Sequence, residues 1–340
     1  VALAKVVITD TIADDLALER AVLDGVARLE LLGARREEEL VGRIEDADAV
    51  MVYLLHLSRR TIERLERCRI IVRCGVGYDR IDGEAARERD IPLAHVPEYC
   101  TEEVADSALA MVLGLTRGVA FLSSRLRAGA GRWSYEQAVP LRRLRGRTLG
   151  LVGLGRIGTA TALRAKAFGM EVAYNDPYKP PGLDKALALR RVGTLEELVR
   201  SSWVLSLHCP LTPETRGMID ARMLSLMPSG AFLVNTARGA IVDTSAVAAA
   251  VESGRLGGVG LDVLDHEPPS EDDPLVRAWR DPAHPAHWRV VINPHSAFYS
   301  EESRRELRTR AATTCRRALA GEPIDNVVNL GRRGGGSDPK

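Results

Sequence analysis

The sequence predicts an α/β protein made of two doubly wound parallel-sheet domains. Three features lead there. Short β-branched runs alternate with helical patterns over residues 1–99, a second series of the same kind starts at Thr148, and a glycine-rich turn opens that second series. Strands that alternate with helices form parallel sheets covered on both faces.

The first series contains "KVVIT" from Lys5, "AVMVYL" from Ala49, "IIVRC" from Ile70 and "IPLAHV" from Ile91, with helix-like stretches at 58–67 and 83–89 between them. A long helix follows from Thr101 to about Arg127. Thr101 is its expected cap, Glu102 and Glu103 suit the positive end of the helix dipole, and Ala108, Met111, Val112, Leu115, Val119 and Leu122 recur at helical spacing. It is expected to be buried and to join the domains. The second series runs "TLGLVG", "EVAYND", "WVLSLHC", "AFLVNTA", "GVGLDVL" and "RVVINP". One amphipathic helix after Ser300, ending near Gly321, comes too late for a further domain and is expected to return to the first. The boundaries are therefore 1–99 with 297–330 for one domain and 100–296 for the other, and the polar, glycine-rich 331–340 reads as a mobile tail.

Composition narrows the function. The chain has 340 residues, 45% hydrophobic and 27% charged, enough for a large core. Of 47 basic residues five are lysine, leaving 42 arginines, but they are interleaved with acids and the net charge is +1, which leaves no nucleic-acid footprint. Cys68, Cys74, Cys100, Cys209 and Cys315 are scattered, and no cysteine or histidine cluster has metal-ligand spacing, so no metal is expected. No apolar run reaches the about 20 residues of a membrane span, and no signal pattern begins the chain. A cytoplasmic protein without membrane or nucleic-acid partners is the expectation.

Gly153-Leu154-Gly155-Arg156-Ile157-Gly158 is G-x-G-x-x-G directly after the apolar Leu149–Val152 and directly before a helical pattern. About twenty residues on, the strand Glu171–Asn175 ends in Asp176, where a dinucleotide site keeps a carboxylate for the ribose. Gly153 suits the tight turn, Gly155 lets the backbone approach a pyrophosphate, and Gly158 allows close helix packing. A carboxylate at 176 repels a 2′-phosphate, so the cofactor expected is NAD, held by Gly153, Gly155, Arg156, Ile157, Gly158 and Asp176. Three other strand ends carry Arg238 in "NTARGAIVD", the carboxylates from Asp262 to Glu267 in "LDVLDHEP" and His295 in "NPHSAF". Arginine grips a carboxylate through two parallel hydrogen bonds, histidine exchanges protons near neutral pH, and a paired carboxylate keeps it protonated. Together they fit a hydroxyacid–oxoacid site.

On these motifs, with "IIVRCGVGYDRID", "EEVADSALAMVL" and "NPHSAFYSEES", the sequence resembles the D-isomer-specific 2-hydroxyacid dehydrogenases from about Lys5 to Asn329. Within that family it looks most like the branch of the C-terminal-binding proteins and the phosphoglycerate dehydrogenases. The resemblance implies a Rossmann cofactor domain inserted into a flavodoxin-like catalytic domain. It implies that Arg238, Glu267 and His295 are the catalytic set, and that the amides of Gly75, Val76 and Gly77 bind the substrate carboxylate. Pro210, Thr236, Ala237 and Asp262 would lie along the nicotinamide half of the cofactor, and Tyr53 and Phe298 would shape the substrate pocket. It also implies a homodimer joined through the long helix. The function expected is hydride transfer between NAD(H) and a small anionic D-2-hydroxyacid or 2-oxoacid. Two alternatives stand beside it: a dinucleotide-sensing scaffold like the transcriptional C-terminal-binding proteins, and NAD-dependent oxidation of an anionic aldehyde such as one bearing phosphonate.

Overall fold

A computed structural model describes residues 3–10 and 14–329. The chain divides into two compact units, Val1–Tyr99 together with Ser300–Lys340, and Cys100–Tyr299. The sequence reading sets the return at 297; in the structure it falls at Ser300. The tail expected at 331–340 lies outside the described residues.

The first unit is a five-stranded sheet of β1 (Ala4–Ile8), β2 (Ala27–Leu31), β3 (Ala49–Val52), β4 (Ile71–Arg73) and β5 (Leu93–His95), all parallel, in the order β2-β1-β3-β4-β5. Val7, Val50, Val52, Ile71 and Leu93 lie in one apolar core. Every residue of β3 is buried, which is why it reads as an unbroken apolar run. The helix Glu301–Ala320 is capped by Ser300, whose side chain accepts from Ser303 N–H while Ser303 accepts from the Ser300 N–H. It packs on the helix Ala17–Leu23, and the two are pinned by a buried ion network. Arg308 donates to Glu19 through Nε and Nη2, both at 2.6 Å, and to Asp14 through Nη1 at 2.5 Å and Nη2 at 2.9 Å. Beyond the helix, Val328 N–H donates to Leu93 O at 2.9 Å, covering the free edge of β5.

The second unit has seven parallel strands: β6 (Thr148–Val152), β7 (Glu171–Asn175), β8 (Arg190–Arg191), β9 (Val204–Leu207), β10 (Ala231–Asn235), β11 (Leu256–Leu261) and β12 (Val290–Ile292). Their order is β12-β11-β10-β9-β6-β7-β8. The order reverses between β6 and β9, the arrangement of a dinucleotide fold.

The expected long helix is broken. It forms Thr101–Thr116 and Val119–Arg127, bent by 67°. Gly118 between them has φ 66° and takes the left-handed conformation that ends a helix. Thr101 is the first helical residue and Cys100 occupies the cap position. The first segment buries Val104, Ala108, Met111 and Val112 and packs on the helix Arg156–Ala167 and on β10 and β11, so it belongs to the core of the second unit. Among the described residues no single helix is long and apolar enough to cross a membrane.

Candidate active site

At the carboxyl end of β6 the chain turns through Gly153 with φ 93°. A Cβ on Gly153 would stand 2.9 Å from each of Cys209 N, His208 C and His208 O, and one on Gly158 would run into the Gly153 carbonyl. Both glycines are therefore fixed by packing within the protein. Gly155 differs: a Cβ there would meet nothing within 4 Å. It precedes Arg156 and Ile157, the first residues of the helix Arg156–Ala167, whose first-turn amides have no partners inside the helix. At the end of β7, Asp176 Oδ2 accepts from Leu154 N–H at 2.8 Å and Oδ1 from Tyr178 N–H at 3.0 Å. The carboxylate is held at the rim of the glycine turn.

Across the reversal point, β9 leads into His208, Cys209 and Pro210, and β10 into Thr236, Ala237 and Arg238. Pro210 O accepts from Thr215 Oγ1 at 2.7 Å. Two buried polar atoms here have no hydrogen-bond partner, Thr236 Oγ1 and His208 Nδ1, while His208 Nε2 lies 2.9 Å from Ser206 Oγ. Burial pushes the His208 imidazole down to about 4. Buried polar groups without partners in a glycine-lined crevice fit a bound ligand that completes them. A nucleotide cofactor resting against Gly155 fits this donor set and this space.

The Asn235 side chain shapes the next turn, with Oδ1 accepting from Ala237 N–H at 3.0 Å and Nδ2 donating to Arg238 O at 2.8 Å. Arg238 Nη1 also donates to Ala237 O at 2.8 Å. A Cβ on Gly239 would overlap the Leu264 carbonyl, so glycine there lets the Arg238 turn lie against the loop that carries Glu267. In that loop Glu267 Oε1 accepts from Leu264 N–H at 3.1 Å, and Oε2 stands 2.8 Å from His295 Nδ1. His295 has φ 51°, unusual for a residue with a Cβ. It is kept there by N–H bonds to Asp262 O at 2.7 Å and Asn293 O at 3.1 Å. Asp262 is buried, and its carboxylate accepts from Ser296 and Ala297 N–H, both at 2.9 Å. The Phe298 ring stands edge-on to the His295 ring with centroids 6.3 Å apart.

In the first unit the loop after β4 turns its carbonyls into internal bonds. Arg73 Nη1 donates to Cys74 O, Val96 N–H to Gly75 O at 3.1 Å, and Val76 O lies 2.7 Å from His95 Nδ1. Of the three amides expected to bind a carboxylate, Gly75 N–H is already taken, donating to Arg73 O at 3.0 Å. Tyr53, expected to shape a pocket, has its hydroxyl buried beside the Cys74 thiol. The exposed neighbour is Leu54. No motif in the sequence marks His208 or Asp10. The signal for His208 was its position directly after β9; Asp10 gave none short of the strand order itself.

Residues 109–297 match the family model described as "D-isomer specific 2-hydroxyacid dehydrogenase, NAD binding domain". The chain belongs to the D-isomer specific 2-hydroxyacid dehydrogenase family. It is 33% identical over 329 residues to a D-3-phosphoglycerate dehydrogenase of Methanocaldococcus jannaschii, covering 96% of this chain and 60% of that protein. To C-terminal-binding protein 1 of Caenorhabditis elegans it is 35% identical over 316 residues, 90% of this chain and 42% of the relative. The chain thus spans less than two thirds of either curated relative. Among solved structures it is similar to D-lactate dehydrogenase from Aquifex aeolicus complexed with NAD and lactic acid, with TM-score 0.81 and 29% identity over 93% of this chain and 96% of that one. The two α/β units, the parallel sheets and the NAD-binding domain are those of the 2-hydroxyacid dehydrogenase family.

Proposed function

We propose that this protein transfers hydride between NAD(H) and a small D-2-hydroxyacid or its 2-oxoacid. The observation that carries the reading is the 2.8 Å contact of His295 Nδ1 with Glu267 Oε2, at the carboxyl edge of the sheet that bears the dinucleotide turn. An ionised carboxylate only accepts hydrogen bonds, so Nδ1 carries the proton and Nε2 is the nitrogen left to exchange one with substrate oxygen. Glu267 balances the imidazolium charge. Asp262 holds the backbone after His295 through Ser296 and Ala297 and so aims the ring. Arg238 supplies a planar donor pair for the substrate carboxylate, and Phe298 lines the pocket beside the His295 ring. Bound nicotinamide supplies or accepts the hydride. The chain's own part toward that cofactor is the open space at Gly155, Arg156 and Ile157 at the helix start, the Asp176 carboxylate for the ribose hydroxyls, and Pro210, Thr236 and Ala237 along the nicotinamide half.

The test is NADH oxidation against 2-oxoacids including hydroxypyruvate, phosphonopyruvate and 4-methylthio-2-oxobutyrate, with His295→Ala alongside. Saturable turnover that the variant loses by a factor of about 10² to 10⁴ is expected; unchanged turnover in the variant refutes the mechanism. A second reading rests on the 35% identity to C-terminal-binding protein 1. Tight NADH binding with no turnover on any acid would favour that dinucleotide-sensing scaffold, and turnover of a phosphonate-bearing aldehyde alone would favour aldehyde oxidation.

We also infer that the chain works as a homodimer. The helix Val119–Arg127 buries none of its residues, and the segment after it leaves Trp133 92%, Tyr135 75% and Val139 62% exposed. Apolar surface of that extent on a helix and its continuation suits a second copy. Sedimentation at micromolar concentration should give the dimer, and a monomer there refutes it.

A further inference from the structure

Along most of the chain arginine is interleaved with acid, but from Arg117 to Arg147 it is not. That stretch holds eight arginines and one acid, Glu136, a net charge of +7 within a chain of net charge +1. Arginines elsewhere find carboxylates: Arg59 bridges Glu88, Arg164 bridges Asp106 and Arg310 bridges Glu98. None of the eight forms an ion pair among the described residues.

The stretch folds back on itself within the second unit, which gathers the charges. Arg117 Nη1 donates to Arg142 O at 3.3 Å, Arg125 Nε to Gln137 Oε1 at 3.2 Å and Arg125 Nη2 to Ala130 O at 2.8 Å, and Gln137 Nε2 donates to Arg132 O. The Arg125 guanidinium also lies over the Phe121 and Trp288 rings, 5.4 and 5.5 Å from their centroids. These contacts fix the backbone and neutralise no charge. The side chains of Arg127, Arg132, Arg142 and Arg143 are exposed and have no hydrogen-bond or ionic partner among the described residues. They share this surface with exposed Trp133 and Tyr135, the face inferred above to meet a second copy.

A closed two-fold dimer sets a patch against the same patch of its partner. Here the patch meets its own sign, and like charges opposed across an interface weaken it. Guanidinium forks match the oxygen pairs of phosphate. A multiply charged phosphate held between the copies reverses the sign of the contact, since each face is then drawn to the same anion.

We propose that this arginine face binds a polyvalent phosphate anion, and that the bound anion strengthens the seating of a second copy there. The seating step rests on the homodimer reading above. The experiment is sedimentation at saturating NADH, which keeps the dinucleotide turn occupied and unable to take the probe. Wild type and the double variant Arg142→Gln/Arg143→Gln are compared in low salt, in low salt with submillimolar tripolyphosphate, and in NaCl of matched ionic strength. Tripolyphosphate should tighten the wild-type dimer by about tenfold or more, and matched NaCl by less than about threefold. The double variant, with less charge to oppose, should dimerise more tightly than wild type in low salt and lose most of the response. Calorimetry at saturating NADH should detect tripolyphosphate binding to wild type and not to the variant.

A dimer that loosens in NaCl and in tripolyphosphate alike would mean that acids of the partner already meet these arginines, and would overturn the proposal. So would a tripolyphosphate effect no larger than that of matched NaCl, which is screening without a site. A monomer in every medium refutes the homodimer reading and the seating step with it. Calorimetry then decides the anion site alone: binding that the double variant loses sustains it, and no binding sinks it.

Discussion

Gly155→Ala separates cofactor binding from folding. Gly155 has φ −73° and ψ −162°, which any L-residue adopts, and its added methyl meets nothing within 4 Å in the protein alone. Replacing glycine at a compatible backbone position narrows the unfolded ensemble, so stability should stay level or rise by about 0.5 kcal/mol. The same methyl stands where the dinucleotide's phosphates must approach the amides at the start of the helix Arg156–Ala167. Loss of one charge-assisted hydrogen bond there costs about 1.5–3 kcal/mol, which weakens NADH binding about 10- to 100-fold. Gly153→Ala is the contrast. Its Cβ would press on three backbone atoms at 2.9 Å with φ 93°, and the left-handed conformation alone costs about 1–2 kcal/mol, so this variant should lose melting temperature as well as affinity. The assay is NADH fluorescence titration beside thermal unfolding. Wild-type NADH affinity in Gly155→Ala would show that the cofactor does not rest on this turn, and the reasoning would fall.

Three further outcomes follow from the same geometry. Glu267→Gln keeps an acceptor for His295 Nδ1 but removes the charge, so kcat for oxoacid reduction should drop by about 10² with the NADH Kd unchanged, as read by steady-state kinetics and titration. Burial holds the His208 imidazole at about 4 against an ordinary 6.5, so the unfolded chain takes up a proton in that window that the folded chain refuses. The contribution of His208 is full above about pH 6.5 and is lost as pH falls toward 4, on the order of 2 kcal/mol between about pH 7 and pH 5. Urea unfolding of His208→Gln should therefore show a flatter pH dependence than wild type. Arg308 is 5% and Glu19 0% exposed, and removing one partner of a buried pair leaves a charge uncompensated. Glu19→Ala should lower the unfolding free energy by about 3 kcal/mol, less whatever Asp14 recovers, and Glu19→Gln by a smaller amount.

The sheets were legible where strands are buried on both faces. Ala49–Val52 is fully buried, and so are the last four residues of β6. The two strands that went unread are edges: β2 is half-exposed, with arginine and glutamate in "ARLEL", and β8 is two exposed arginines. Neither has an apolar period to detect. The glycine turn was legible because local sterics dictate it, whereas which carboxylate meets His295 came only through the family resemblance, since Glu267 stands 28 residues away and its loop follows a strand that only the sheet order makes a neighbour. Tyr53 shows what local reading lacks. Its direction is set by a carboxylate 43 residues earlier, in a contact that only the strand order creates. The bend at Gly118 escaped for a related reason, since apolar spacing continues through it and only the backbone conformation of one glycine turns the chain.

The two units follow one topological rule to opposite ends. Each sheet reverses its strand order once, and each reversal leaves backbone amides at the carboxyl edge with space in front of them. In the second unit that space stays open at Gly155, and a partnerless Thr236 hydroxyl and His208 nitrogen border it. In the first unit Asp10 enters the space and takes three amides for itself. A crevice already holding a carboxylate repels the phosphates of a nucleotide, so the first unit cannot act as a second dinucleotide site despite its similar topology. What it gains is a rigid loop. Three amides tied to one carboxylate leave that loop little conformational freedom, and in this fold one side chain decides whether a reversal point stays open or fixes a loop.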